Sequence, residues 1–325
     1  MTSAAYDVLG IGNAIVDVIT RSDDAFLAKH ELTKGSMMLI DEKRAEALYA
    51  AMGPGIEVSG GSCGNTMAGV ASFGGKGAYI GKVRNDQLGT VFGHDLRAIG
   101  VSFATPAASA GPATARCLIT VTPDAQRTMS TYLGACTGLG PDDIDTALVG
   151  TAQVTYVEGY LWDAPEAKKA VLKAFDAAHA AGRKVSITLS DSFCVGRYRE
   201  EFRALIRDKV DILFGNESEI TSLYEVDSFE AALERTRKEA KIAALTRSEK
   251  GSVVIKGGET YAVPAAPVSK IVDTTGAGDL YAAGFLFGLT HGKPLAECAR
   301  LGGIAAAEVI SHVGARPEKA LKGLM

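Results

Sequence analysis

Short apolar runs alternate with amphipathic stretches along most of this chain. Residues 6–11 form an apolar run that predicts a buried first strand. After Gly140 the alternation becomes regular, and repeated strand–helix units are typical of a parallel sheet covered on both faces, with ligands at the carboxyl ends of the strands. The pattern predicts strands over 154–158, 184–188 and 212–215 and helices over 165–181 and 199–209.

Two excursions interrupt this regular pattern. Residues 17–58 contain a short strand-like run at 37–40, and residues 103–131 contain alternating runs at 116–121 and 127–131. Strands inserted between core elements can pair into one small sheet above the site. The chain therefore predicts a single α/β domain over all 325 residues, with a small β lid formed by insertions at about 17–58 and 103–131.

Composition narrows the class of protein. The net charge is −4, and no segment combines clustered Lys and Arg with aromatic residues, which favours small ligands over nucleic acid. No apolar stretch approaches the roughly 18 residues of a membrane span, and the N-terminal apolar run is broken by acidic and amide residues. Five cysteines without a CxxC pair fit a reducing compartment. We expect a cytoplasmic protein without a membrane partner.

The most informative segment is Asp273-Thr274-Thr275-Gly276-Ala277-Gly278-Asp279, followed by an apolar run over 280–289. A strand is predicted over 268–272, and a buried helix over the apolar run. Amides at the start of a helix lack intrahelical partners and attract anions. A carboxylate beside a bound phosphoryl group is a candidate base for the attacking hydroxyl. The local alternative is a glycine turn with Thr275 as N-cap and Asp279 placed by the helix dipole.

This string resembles the DTxGAGD motif of the ribokinase-like sugar and nucleoside kinases. The resemblance runs from the first strand to the last helix, and within the family it is closest to the adenosine kinases. It implies a three-layer ribokinase-like fold with a mainly parallel central sheet, ATP as donor and Mg²⁺ as cofactor. It also implies that Asp279 is the catalytic base and that Gly276, Ala277 and Gly278 supply the anion-hole amides.

Two further strings resemble the substrate site of this family. Residues 12–17 match a GNxxxD string, in which Asn13 and Asp17 would contact the ribose hydroxyls. From the residues alone, a solvated loop or an Asx-turn is the alternative for Asn13, and a strand-to-helix turn is the alternative for the glycine loop at 59–65. Ribokinases have a shorter Asn-to-Asp spacing and a Lys in the glycine loop, so the closer resemblance to adenosine kinases implies a nucleoside and not a free pentose. The glycine loop adds the candidate substrate-binding residues Gly60, Gly61, Ser62 and Asn65.

The nucleotide site is implied by two other strings. Asn216 and Glu219 match the family's NxxE motif, with Glu219 reaching Mg²⁺ through water, although the same spacing is that of a capping box. Thr246 and Gly251 match the ends of a TxGxxG nucleotide loop whose middle glycine is replaced by Ser248. A plain hairpin turn is the alternative for that loop.

Arg127 matches a lid arginine that reaches the phosphates in adenosine kinases, and Arg116 is its competitor. Carbonyls around Asp273 and residues 311–316 bind a monovalent cation in some family members, which leaves potassium activation open. A monomer and a homodimer are both compatible with the resemblance.

The functional expectation is an ATP-dependent kinase that phosphorylates the primary 5′-hydroxyl of a nucleoside, with adenosine converted to AMP. The alternative is a sugar kinase of the same family, acting on ribose, fructose or a related substrate. A dinucleotide-dependent reductase is disfavoured because Gly10-Ile11-Gly12 lacks the third glycine of its fingerprint. A non-catalytic regulator is disfavoured because the acid at 279 is present.

Overall fold

The computed structural model describes residues 4–124 and 126–325. Within them the chain folds as an α/β protein whose strands form two sheets. The strands are β1 (Tyr6–Ile11), β2 (Ile15–Arg21), β3 (Met37–Leu39), β4 (Gly55–Ser59), β5 (Gly77–Ile80), β6 (Val101–Phe103), β7 (Ala115–Val121), β8 (Arg127–Tyr132), β9 (Ala152–Glu158), β10 (Lys184–Thr188), β11 (Ile212–Asn216), β12 (Ile242–Thr246), β13 (Ser252–Lys256) and β14 (Glu259–Val263).

The main sheet of the described chain has nine strands in the order β14-β13-β12-β11-β10-β9-β1-β5-β6. The strands from β12 to β6 in this order are parallel to one another. Strands β13 and β14 pair in antiparallel register and form the other edge of the sheet. The carboxyl ends of parallel strands meet at one edge of a sheet. Asn13, Glu158, Asn216 and Thr246, each at or just after the end of a strand, are therefore gathered at that edge.

Helices cover both faces of the main sheet and complete its core. They are α1 (Asp24–Lys29), α2 (Glu42–Ala51), α3 (Ser62–Ser72), α4 (Gln87–Ala98), α5 (Thr146–Gly150), α6 (Pro165–Ala180), α7 (Ser192–Asp208), α8 (Glu217–Tyr224), α9 (Phe229–Glu239), α10 (Ala277–Thr290) and α11 (Leu295–Val309). Helix α10 is apolar on all sides because it lies between α3 and α11, and its residues from Leu280 to Gly288 are buried.

The strands of both predicted excursions form one five-stranded sheet, in the order β3-β8-β7-β2-β4. Within the sheet, β2 pairs with β7 in parallel register and with β4 in antiparallel register. The predicted ranges were slightly narrow, since β2 begins at Ile15 and β8 ends at Tyr132. The function of this second sheet as a lid stays a prediction.

The strand predicted over residues 268–272 is wrong. All five of these residues are described, and none of them lies in a strand. Val272 N instead donates to Ile310 O, 2.8 Å away, and Ile271 is 64% exposed. The apolar alternation resembled a strand, but the chain has already left the edge strand β14 and crosses to α11 before α10 begins.

Candidate active site

Helix α10 begins where the sequence placed an anion site, although its N-cap is Gly276 and not Thr275. Gly276 has φ +79°, and a Cβ at this position would lie 2.8 Å from Ala315 Cβ, so only glycine fits the turn. The Thr275 hydroxyl is engaged by Asp273, at 2.7 Å, and does not cap the helix. Ala277 N donates to Thr274 O at 3.3 Å, and Leu280 N makes the first i-to-i−4 bond of the helix, to Gly276 O. The amides of Gly278 and Asp279 lie between these two bonds, at the positions where a helix start presents N–H groups to a ligand.

Asp279 lies in the first turn of α10 and is held by two donors from α3. Ser62 Oγ donates to its Oδ1 at 2.6 Å, and Asn65 Nδ2 donates to its Oδ2 at 3.1 Å. Burial raises the pKa of Asp279 to about 6, and the two hydrogen bonds act in the opposite direction. The group can therefore accept a proton near neutral pH, as a general base must. Ser62 and Asn65, predicted as substrate contacts, are partners of the predicted base.

Glu158 is a buried acid at the end of β9 that the sequence analysis did not single out. Asn13 N and Nδ2 both donate to its Oε1, at 3.0 and 2.7 Å, and Cys63 N donates to its Oε2 at 2.8 Å. Burial raises its pKa to about 7. One carboxyl group thus joins the GNxxxD segment to the glycine loop. Asn13 is a buried partner of Glu158, and a solvated turn is excluded for it.

Asp17, on β2, faces the same site from the second sheet. Burial raises its pKa to about 6; Arg316 and Arg127 oppose that rise, and Asp279 adds to it. A Cβ at Gly60 would lie 2.4 Å from the Asp17 carboxyl carbon, and one at Gly61 would lie 2.5 Å from Asn13 O. The two glycines therefore allow the loop to pack directly against both predicted diol ligands.

Arg127 on β8 forms an ion pair with Asp273, at the start of the DTxGAGD segment. Asp273 also accepts hydrogen bonds from Thr275 N at 3.0 Å and Gly314 N at 2.9 Å. Burial opposes its ionisation, but the bonds from Gly314 and Thr275 and the charge of Arg127 lower its pKa. This contact joins the second sheet to the anion-site turn.

Arg116, the competing arginine, lies on the other face of the second sheet. In the parallel register of β2 and β7, Asp17 is opposite Cys117, so the neighbouring Arg116 points away from Asp17. Its guanidinium lies over the rings of Tyr49 and Tyr132, 5.9 and 5.8 Å from their centroids. Of the two candidates, only Arg127 reaches the anion-site segment.

The predicted nucleotide residues form a second group at the ends of β11 and β12. Asn216 and Glu219 make a complete capping box: Asn216 Oδ1 accepts from Glu219 N at 2.9 Å, and Glu219 Oε2 accepts from Asn216 N at 2.9 Å. Thr246 is opposite Asn216 in the register of the two strands. Glu219 is buried, which raises its pKa to about 7. The capping interpretation is confirmed. Each of the two accepting oxygens, Asn216 Oδ1 and Glu219 Oε2, still has a second lone pair that can accept from solvent.

Gly251 closes an antiparallel hairpin between β12 and β13. It has φ +82°, and a Cβ there would lie 2.1 Å from Val263 O. Ser248, which replaces the family's middle glycine, keeps a left-handed backbone with φ +51°. The backbone here is therefore a hairpin, as the alternative interpretation predicted. Ser248 adopts the left-handed conformation that a glycine would favour at this position, although it is not a glycine.

A second residue that the sequence analysis missed is Arg316, in the segment after α11. Its Nε donates to Asn65 Oδ1 at 3.4 Å, and its Nη1 lies 3.7 Å from Asp95 Oδ2. Residues 311–316 were noted only for their carbonyl groups, and no local pattern marks a loop arginine as inward-facing. Glu158, in contrast, ends a predicted strand at the ligand edge and could have been identified there.

No group of three or more His, Cys, Asp or Glu side chains in residues 4–124 and 126–325 is arranged to hold a metal ion. All five cysteines are buried free thiols. No helix in the same ranges is long and apolar enough to cross a membrane.

These features define a phosphoryl-transfer class of site: a helix N-terminus for an anion, a carboxylate of raised pKa within it, and polar loops opposite. A family model described as pfkB family carbohydrate kinase matches residues 53–320. The chain belongs to this family and is a phosphotransferase with an alcohol acceptor, and membership implies the use of ATP. The ribokinase-like fold predicted from the sequence is confirmed.

Three relatives show how close the similarity is. An adenosine kinase from Sinorhizobium meliloti is 55% identical, with a TM-score of 0.91 over 99% of this chain and 98% of that one. A probable sugar kinase protein from Rhizobium etli CFN 42 is 54% identical, with a TM-score of 0.91 over the same shares of the two chains. A Saccharomyces cerevisiae adenosine kinase is 28% identical over 94% of each chain.

Proposed function

We propose that this chain transfers the γ-phosphoryl group of ATP to the primary 5′-hydroxyl of a nucleoside, with adenosine converted to AMP. The observation that carries the proposal is the position of Asp279, at the open start of α10 and opposite the Asn13, Asp17 and Gly60 segment. The 55% identity to an adenosine kinase supports a nucleoside as acceptor.

In this mechanism Asp279 accepts the proton of the attacking hydroxyl. The amides at the start of α10 stabilise negative charge on the transferred group, as preorganised donors do in phosphoryl transfer. Apart from its chain neighbours and the backbone of its own helix, no described atom lies within 4 Å of a Cβ added at Gly278, so the space over this turn is open to a ligand. Arg127, paired with Asp273 in the free protein, exchanges that carboxylate for a phosphate when the nucleotide binds.

Recognition of the acceptor rests on Asp17 and Asn13. An ionised carboxylate accepts hydrogen bonds from two vicinal hydroxyl groups, and the Asn13 amide can add a donor or an acceptor. A site with these polar groups discriminates strongly against an acceptor that leaves them without partners. We therefore expect a strong preference for ribonucleosides over 2′-deoxyribonucleosides.

Magnesium is proposed to bind with the nucleotide, near Asn216 and Glu219. The two residues are hydrogen-bonded to each other, and Glu219 is buried at the sheet edge. They would therefore contact the bound ion through water. When bound, the ion would neutralise phosphate charge. Thr246 and Gly251 are proposed to line the nucleotide loop. Activation by potassium stays a prediction from the family resemblance, tested by exchanging K⁺ for Na⁺.

The test is ADP release by purified protein with MgATP and, in turn, adenosine, inosine, guanosine, ribose and fructose. Turnover of a nucleoside with formation of the 5′-monophosphate is the expected result, and the panel identifies the preferred base. The similarity to a protein described as a probable sugar kinase favours the sugar arm as the alternative. Turnover restricted to ribose or fructose would retain the family and overturn the roles of Asn13 and Asp17.

A further inference from the structure

Arg316 occupies an unusual position for a charged residue. It follows α11, and its guanidinium reaches under the active site between α3 and α4. Its Nη2 is buried and has no hydrogen-bond partner among the described residues, and burial lowers the pKa of the group. The Arg316 side chain is 17% exposed, and a largely buried guanidinium with an incomplete set of partners is costly, so the contacts that it does make must stabilise it.

The contact with Asn65 constrains an ambiguous group. The side-chain amide of asparagine carries a donor and an acceptor that exchange places when it rotates by about 180°. Arginine can only donate, so the atom that faces Arg316 Nε must be Asn65 Oδ1. An ionised carboxylate can only accept, so the atom that faces Asp279 Oδ2 must be Asn65 Nδ2. Both ends of the amide select the same orientation.

We propose that Arg316 is a positioning residue that locks the Asn65 amide with its N–H toward Asp279. The proposal rests on the proposed function, in which Asp279 is the general base. Without Arg316 only the ionised Asp279 carboxylate selects this orientation, and once Asp279 is protonated the amide can rotate and accept from it, which favours the protonated form of the base. The other donor to Asp279, Ser62 Oγ, has no contact with Arg316 and provides an internal control.

Other charged and titratable groups also face this site and must be separated from the effect of Arg316. The charge of Arg316 lowers the pKa of Asp17 directly, so its removal acts on that group without passing through Asn65. The groups that interact electrostatically with Asp279 are Asp17 on β2, Cys63 on α3, Tyr156 and Glu158 on β9, Tyr160 just after β9 and Glu219 on α8.

A double-mutant cycle on the full chain separates these effects. The pH dependence of kcat/KM for the nucleoside is measured for wild type, Arg316→Met, Asn65→Ala and the double variant. We expect Arg316→Met to lower kcat/KM about tenfold near pH 6 and to move the acid limb upward, the scale of one charge-assisted hydrogen bond. In the Asn65→Ala background most of that effect should be lost.

The matched control is Arg316→Met in the Ser62→Ala background, where the full effect should persist. An equal effect of Arg316→Met in the wild-type, Asn65→Ala and Ser62→Ala backgrounds would overturn the proposal, because Arg316 would then act by charge or by general packing. An unchanged Arg316→Met variant beside an inactive Asp279→Asn variant would overturn this inference alone, whereas an active Asp279→Asn variant would overturn the proposed function.

Arg316→Lys provides a second test should the methionine variant not fold. It keeps the positive charge near Asp17 and loses the Nε–H that contacts Asn65. The proposal predicts that its acid limb also moves upward and that this shift disappears in the Asn65→Ala background. Because the lysine ammonium can also donate, a wild-type pH profile for Arg316→Lys contradicts the proposal when Arg316→Met has an equal effect with and without Asn65, since charge alone would then be required.

Discussion

At the scale of residues, the main feature of the site is that burial opposes the ionisation of its carboxyl groups. Asp17 and Asp279 both have pKa values raised to about 6, and the charge of Asp279 contributes to the rise at Asp17. In the proposed mechanism Asp279 must be ionised to accept a proton, and Asp17 must be ionised to accept hydrogen bonds from two hydroxyl groups. The two requirements are coupled because the groups interact.

This coupling predicts the acid side of the pH profile. A raised pKa means that ionisation, and with it activity, is lost as the pH falls through about 6. Below this region log kcat/KM for the nucleoside should fall with a slope approaching two. The Asp17→Asn variant should have lower kcat/KM throughout and a slope near one. A slope of two in that variant would exclude Asp17 as one of the two titrating groups.

Sequence motifs singled out residues that the fold brings close together, but they did not indicate the partners of those residues. The capping box of Asn216 and Glu219 followed from local spacing. The contacts of Ser62 and Asn65 with Asp279 join positions more than 200 residues apart, which no local pattern encodes. Arg316 was missed for the same reason. Motif resemblance identified the residues that share a site, and tertiary packing decided which of them touch.

At the scale of elements, the start of α10 combines two glycines with different physical roles. Gly276 has a left-handed backbone and packs against Ala315, whereas a Cβ at Gly278 would meet no described atom within 4 Å apart from its chain neighbours and the backbone of its own helix. The sequence analysis attributed both glycines to the anion site. The structure assigns Gly276 to the fold of the turn and leaves open space over Gly278. Thr275, the N-cap in the alternative interpretation, does not cap the helix because its hydroxyl group donates to Asp273.

Alanine substitutions separate the two roles. Gly276→Ala should lower the free energy of unfolding by about 2 kcal/mol or more, because it adds left-handed strain and a close contact with Ala315. Gly278→Ala should keep the stability of wild type within about 0.5 kcal/mol and lower kcat, because its methyl group enters the proposed phosphoryl space. Chemical denaturation and steady-state kinetics measure both variants. Normal kcat in Gly278→Ala would argue against an anion site at this turn.

At the scale of the whole molecule, the two sheets meet over a layer of buried acids. Glu158 joins the segment after β1 to the start of α3, and Arg127 on the second sheet pairs with Asp273 beside α10. The pattern of apolar and polar residues predicted both sheets, from short apolar runs between helical stretches in the main sheet and from alternating runs in the second sheet. It failed over residues 268–272, where a similar pattern belongs to a connection crossing to α11.

Glu158 predicts a dependence of stability on pH. Its pKa is raised to about 7 in the folded protein, so the unfolded chain releases this proton first as the pH rises. The folded state then loses relative stability between about pH 4.5 and 7, by on the order of 3 kcal/mol. Glu158→Gln should remove this contribution to the slope of the unfolding free energy against pH. A change in stability that is the same at every pH would not affect that slope.

Denaturant unfolding at a series of pH values measures that slope. Glu200→Gln is the matched control, since it makes the same chemical change at a side chain that is 82% exposed. Its slope should equal that of wild type. Parallel slopes for wild type and Glu158→Gln would contradict the account of Glu158 as a buried acid that folding keeps protonated.

The most direct test of the central claim compares wild type with Asp279→Asn in the transfer of phosphate from MgATP to adenosine. Asparagine preserves the shape of the side chain and cannot act as the base. The account predicts that kcat falls by at least about 10²-fold, the scale of general base catalysis, while adenosine affinity measured by calorimetry changes by less than about threefold. Near-normal kcat in this variant would remove Asp279 as the base and contradict the proposed mechanism.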